Sequence, residues 1–221
     1  MGYDYKPNVK ICCIASVEEA WMAIDCGASA IGLVSEMPSG PGVISEDLIT
    51  EIVSVAPPSI STFLLTSKQD AGEIIAQQKR TRADTLQICD RLRVGSYQQL
   101  QQALPGVRLV QVIHVTGPEA IDEATSIVPF VDAILLDSGN QTLTVKELGG
   151  TGRTHDWGLS RKIREAVGVP LFLAGGLTPD NIADAVRQVE PYGVDVCNGV
   201  RTDGRLDPVK LANFFDNIAG V

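Results

Sequence analysis

Asp137 closes the run Ala133-Ile134-Leu135-Leu136, and an apolar strand has no structural need of a carboxylate at its end. Such a group either works on a substrate or accepts backbone N–H groups as a cap or turn residue. Cys12 ends another apolar run, where a thiol is either reactive or plain core filling. Two segments can hold phosphate: Leu173-Ala174-Gly175-Gly176-Leu177-Thr178 and Val194-Asp195-Val196-Cys197-Asn198-Gly199. Backbone N–H groups exposed between a strand and a helix N-terminus attract anions, although a Gly pair can also be only a tight turn. Neither segment is a P-loop, because the Gly-Lys-Ser/Thr ending is absent. The stretch Gly149-Gly150-Thr151-Gly152-Arg153-Thr154-His155-Asp156-Trp157 has the glycine density of a lid. Thr154 and Asp156 can cap the helix that follows, which gives the lid a docking point.

Eight short β-rich runs must position these groups: Val9 to Ile14, Ala28 to Val34, Ser59 to Leu65, Thr85 to Cys89, Arg108 to Ile113, Ala133 to Asp137, Pro170 to Ala174 and Val194 to Cys197. Helical patterns follow at Val17 to Cys26, Glu46 to Val55, Gln69 to Gln78, Ser96 to Ala103, Pro118 to Ile127, Trp157 to Val167, Pro179 to Val189 and Pro208 to Ile218. Eight strand–helix units predict an α/β fold, a (β/α)8 TIM barrel forming a single domain over residues 1–221. Ser16 with Glu19 fits a capping box, and Thr178-Pro179 and Asp207-Pro208 each place a cap before a first-turn proline. The runner-up, a doubly wound open sheet, lacks a G-x-G-x-x-G turn after the first strand.

Strand alternation puts Lys10 and Cys12 on one face of strand one, and Asp195 and Cys197 on one face of strand eight. Strands one and eight are neighbours in a closed barrel, so Lys10 and Asp195 should form an interior ion pair, within about 6 Å.

A net charge of −9 argues against a nucleic-acid partner, which clustered Lys and Arg would have to hold. No apolar run approaches the roughly 20 residues of a membrane span, and Met1-Gly2-Tyr3-Asp4-Tyr5 does not read as a signal peptide, so a cytoplasmic location is expected. The five cysteines, Cys12, Cys13, Cys26, Cys89 and Cys197, lack C-x-x-C spacing. Free thiols are expected, three or four of them buried, with no disulfide framework. The two histidines, His114 and His155, have no ligand cluster around them, so no metal is expected.

Lys10-Ile11-Cys12, Ala30 to Val34, Leu135-Leu136-Asp137, Gly149 to Trp157, Leu173 to Leu177 and Tyr192 to Val196 together resemble the phosphoribosylanthranilate isomerase family of tryptophan biosynthesis. The matches run in order from strand one to strand eight. The resemblance implies an Amadori rearrangement of N-(5-phosphoribosyl)anthranilate to 1-(2-carboxyphenylamino)-1-deoxyribulose 5-phosphate, with no cofactor. It implies Asp137 as general acid and Cys12 as general base, so the carboxyl must carry a proton and the thiol must lose one. Substrate and phosphate contacts would come from Lys10, Gly149, Gly150, Gly152, Gly175, Gly176, Asn198 and Gly199. The partner is then a small phosphosugar, and the chain a monomer or homodimer.

The chain departs from the family pattern at the barrel mouth. Gly42 stands where the family has an arginine for the anthranilate carboxylate, Cys13 where it has glycine, Cys89 where it has histidine, and Cys197-Asn198-Gly199-Val200-Arg201 where Ser-Ser-Gly-Val-Glu is frequent. Arg153 and Arg201 are the expected substitutes for the lost cation. Two alternatives follow from these departures: an isomerase of another phosphosugar amine, or a non-catalytic phosphosugar-binding homologue.

Overall fold

Eight parallel strands pair in sequence order, and the last returns to the first to close a barrel. They are β1 (Asn8–Ile11), β2 (Ala30–Val34), β3 (Ser61–Thr66), β4 (Thr85–Ile88), β5 (Arg108–His114), β6 (Ala133–Asp137), β7 (Leu171–Leu173) and β8 (Gly193–Val196). Eight helices run back along the outside: α1 (Val17–Asp25), α2 (Glu46–Val55), α3 (Ala71–Thr81), α4 (Tyr97–Ala103), α5 (Glu119–Ile127), α6 (Trp157–Ala166), α7 (Ile182–Val189) and α8 (Pro208–Ala219). This computed structural model describes residues 6–221, so the segment Met1 to Tyr5 lies outside the described residues.

The strands read as continuous apolar runs because both of their faces are covered. Val9, Ile11, Ile31 and Leu33 pack outward under the helices, while Ala30, Phe63, Val110, Leu135 and Phe172 fill the lumen. Phe63 and Phe172 meet edge to face inside the barrel, their centroids 5.8 Å apart.

Several helix starts follow the expected caps. Asp207 accepts from the N–H groups of Val209 and Lys210, with Pro208 in the first turn. Ser16 accepts from Glu19 N–H at 3.2 Å, but Glu19 does not return the bond to Ser16. Its carboxylate accepts from Ala15 N–H and from the Arg201 guanidinium instead, so only half of the capping box forms.

One expectation is corrected, and one element was not expected. Helix α7 begins at Ile182 rather than at a Thr178-Pro179 cap. Asn181 folds its amide back on the preceding loop, accepting from Thr178 N–H at 2.8 Å and donating to Gly176 O at 3.0 Å, which holds residues 179–181 as a turn. An unexpected hairpin, β9 (Arg201–Thr202) and β10 (Arg205–Leu206), separates β8 from α8. Its two-residue loop Asp203-Gly204 has both φ angles positive, 49° and 78°, as a tight hairpin of this length requires.

The seam that closes the barrel holds a charge pair. β1 and β8 are in register with Lys10 opposite Asp195, and Lys10 Nζ lies 2.9 Å from Asp195 Oδ1. Lys10 is fully buried, its ammonium 5.0 Å from the Phe63 ring centre. The interior ion pair read from strand alternation is therefore present. Removing one partner of such a pair strands a buried charge and costs about 3–5 kcal/mol, whereas replacing both with apolar groups is often neutral. Lys10→Met should lower the urea midpoint strongly, and Lys10→Met with Asp195→Leu should recover most of the loss. Equal losses in the single and double variants would refute the pairing as the source of the cost.

Candidate active site

The carboxyl ends of the strands surround a cavity of about 250 Å³. Cys12, Asp137, Asp195, the glycines 149, 150, 152, 175 and 176, and Asn198 and Gly199 all line it. One cavity thus gathers the Asp137 carboxyl, the Cys12 thiol, the glycine-rich loop and both Gly-containing strand ends that are scattered over the sequence. Lys10 is the exception. Its pairing with Asp195 keeps it beneath the cavity floor, where its charge acts through Asp195 and Cys12 rather than by contact.

Asp137 is the last residue of β6 and is 7% exposed. One oxygen, Oδ1, accepts from Ser138 N–H at 2.6 Å. Gly149 brings lid backbone against the other: a Cβ there would lie 2.8 Å from Oδ2. Its φ of 141° also disfavours any other residue, so that glycine is fixed by the carboxylate it covers.

Cys12 follows β1, and its N–H donates to Val196 O at 2.8 Å. The neighbouring Cys13 thiol is the largest influence on it, lowering its pKa from the ordinary thiol range through a side-chain hydrogen bond. The Lys10 ammonium acts in the same direction, against burial and the Asp195 charge. Cys89, replacing a family histidine at the end of strand four, is driven the other way, because burial favours its neutral thiol.

The lid is fastened from several sides. Asn198 Nδ2 donates to Gly150 O at 2.8 Å, Ser138 and Thr151 share a hydroxyl contact at 2.7 Å, and Ser39 donates to Lys146 O at 2.6 Å. Asp156 caps α6 through the N–H groups of Gly158 and Leu159, while Thr154 makes no cap bond there. His155 Nε2 lies 2.7 Å from Ser160 Oγ, and burial lowers its pKa, favouring the neutral ring.

Neither substitute cation reaches the cavity. Arg153 pairs with Glu147 on the outside of the lid. Arg201 is buried in a structural role, bound to Glu19 and donating to the carbonyls of Cys12 and Cys13 at 3.1 and 2.6 Å. Its part in fixing the Cys12-Cys13 turn had no sequence signal beyond an arginine near a strand end. Among the described residues, no Lys, Arg or His lines the cavity. Position 42 cannot supply one: at φ 79°, a Cβ there would sit 2.4 Å from Cys13 Cβ. The Cys13 side chain occupies the space that any residue at 42 would need.

Among the described residues, no group of three or more His, Cys, Asp or Glu side chains is arranged to hold a metal, and no helix is long and apolar enough to cross a membrane. All five cysteines are free, and Cys12, Cys13 and Cys89 are buried.

The family profile for N-(5′-phosphoribosyl)anthranilate (PRA) isomerase matches residues 9–217. The chain is 39% identical to N-(5′-phosphoribosyl)anthranilate isomerase 2 of Methanosarcina mazei, across 94% of this chain and 92% of that one. It is 34% identical to the isomerase of Methanocella arvoryzae, across 94% and 95%. The solved structure of N-(5′-phosphoribosyl)anthranilate isomerase from Pyrococcus furiosus superposes with a TM-score of 0.80 at 27% identity, covering 97% of this chain and all of that one. With this family match over most of its length and these relatives, the chain belongs to the phosphoribosylanthranilate isomerase family.

Proposed function

We propose that this chain is a phosphoribosylanthranilate isomerase in which Asp137 is the general acid and Cys12 the general base. The observation that carries the proposal is that one cavity holds both groups, between the lid and the two Gly-containing phosphate segments. The Asp137 carboxyl protonates the furanose ring oxygen, and the ring opens to a Schiff base. The Cys12 thiolate then removes the C2′ proton, giving an enolamine that tautomerises to the ketose. The substrate phosphate binds backbone N–H groups at Gly175-Gly176 and Asn198-Gly199, because no cationic side chain is at hand there. Every group named comes from one chain, so the scheme serves a monomer or a homodimer, acting in the cytoplasm.

The direct test follows the fluorescence of freshly prepared N-(5-phosphoribosyl)anthranilate. The wild type should consume it, while Cys12→Ser and Asp137→Asn should each lose about 10²–10⁴-fold in rate, the usual worth of a positioned acid or base. A wild type silent at high enzyme concentration would reject the reaction. The base works only as thiolate, which exists above its pKa, so kcat/KM must fall as pH drops through that value. Because the Cys13 hydrogen bond lowers it, Cys13→Ala should move this acid limb to higher pH. An unmoved limb would mean that Cys13 does not tune the base.

Position 42 gives a further test. Gly42→Arg alone should not improve binding, since Cys13 blocks the space. Cys13→Gly with Gly42→Arg should not improve it either, since a Cβ at 42 would still lie 2.9 Å from the backbone Cα at 13 and the φ of 79° disfavours any residue but glycine. A KM lowered in the double variant would show that the backbone at 42 gives way to admit the side chain.

A further inference from the structure

Three thiols converge where β1 and β8 end. Beyond the Lys10–Asp195 and Ile11–Val196 pairs, the next step in register brings Cys12 level with Cys197, and alternation turns both toward the cavity, which both line. Cys13 follows in the left-handed conformation, φ 61°, which returns its side chain to the same cavity, beside the thiols of both Cys12 and Cys197. The proton transfers use Cys12 alone and give Cys197 no task. Cys12 N–H donates to Val196 O at 2.8 Å, so the pairing of the two strands reaches these residues, with Cys12 beside Cys197 across the seam and Cys13 one residue further on. Cys197 is also the most accessible of the three, partly exposed where Cys12 and Cys13 are buried.

We propose that Cys13 and Cys197 form a reversibly oxidisable dithiol at the mouth of the cavity, a modification site for hydroperoxides that silences the enzyme. The Cys197 sulfur attacks the O–O bond and becomes a sulfenic acid, and the peroxide leaves as hydroxide, taking the thiol proton to become water. The Cys13 sulfur then attacks that sulfur; the S–S bond forms, the S–O bond breaks, and hydroxide departs with the Cys13 proton as a second water. In sum, two thiols are oxidised and one hydrogen peroxide is reduced to two waters. A small thiol reverses the change by exchange. The bridge takes from Cys12 the thiol hydrogen bond that favours its ionised form. It also pulls on the segment whose next residue, Asn198, grips the lid at Gly150. Cys26 lies outside the cavity and Cys89 follows β4, three strands away from β1 and four from β8, so neither should take part.

The bridge itself does not depend on the proposed reaction; only its effect on turnover does. The test treats the purified full chain with hydrogen peroxide, blocks free thiols with iodoacetamide and maps the peptides by mass spectrometry. A peptide joining the Cys12-Cys13 segment to Cys197 should form in the wild type, vanish with dithiothreitol, and be absent from Cys197→Ser and Cys13→Ala. Turnover, scaled to each protein's own untreated rate, should fall by about tenfold or more in the wild type and return with dithiothreitol, as reversible disulfide chemistry requires. No linked peptide, a link that survives in Cys13→Ala, or only irreversible oxidation at Cys12 would overturn the site. A link with unchanged turnover would overturn the silencing. If the untreated protein proved inactive, the peptide map would still decide whether the dithiol exists.

Discussion

The Lys10–Asp195 pair joins the first strand to the last, and the catalytic end of the barrel is built on that join. An open eight-stranded sheet would leave β1 and β8 as exposed edges; closure pairs them, and the register that puts Lys10 opposite Asp195 also sets Cys12 at the rim. A fully buried ammonium keeps its charge only because a carboxylate lies 2.9 Å away. Burial alone would drive the Lys10 pKa down. The Asp195 charge, with smaller contributions from the thiols, more than offsets it, so the net direction is upward. The same positive charge favours thiolate at Cys12. The Asp195 charge opposes it and outweighs it, so the join that closes the barrel sets the electrostatics around Cys12 with both signs.

Around this centre the site is assembled by backbone more than by cations. Gly149 lets the lid main chain reach the Asp137 carboxyl, the Gly175-Gly176 pair turns from β7 toward α7, and Asn198 ties the end of strand eight to the lid. Arg201, which looks from its position like a ligand for an anion, instead holds the carbonyls of Cys12 and Cys13 and is itself held by Glu19. The left-handed backbone at Cys13 is thus supported from α1 and from the segment after β8 together.

Eight short apolar runs alternating with eight helical patterns made the barrel legible, because each strand had to bury two faces and each helix one. Side-chain alternation within a strand was the narrower signal. It located the Lys10–Asp195 contact, since alternation within two strands and adjacency between them fix which side chains meet. Caps at Asp156 and Asp207 were readable because side-chain carboxylates satisfy helix N–H groups locally. Thr178-Pro179 misled, since the competing bonds of Asn181 to Thr178 and Gly176 are visible only when the loop is folded. The β9–β10 hairpin did carry a signal, Asp203-Gly204, but its strands are two residues each and show no alternation. The uses of Arg153 and Arg201 were illegible, because charge says nothing about which carboxylate or carbonyl a long side chain will find.

The contact between Cys13 and Gly42 bears on the order in which this sequence can have changed. The two residues are 29 apart in the chain, yet a side chain at 42 and a side chain at 13 claim the same volume. An ancestor with a long residue at 42 could not have accepted a cysteine at 13 first; the larger residue had to leave before or together with that change. With Cys13 in place, a side chain at 42 is sterically closed, and the φ of 79° there adds a second barrier to it. The two sites are thus one epistatic unit, and relatives of this chain should carry side chains at one of them or the other, never at both.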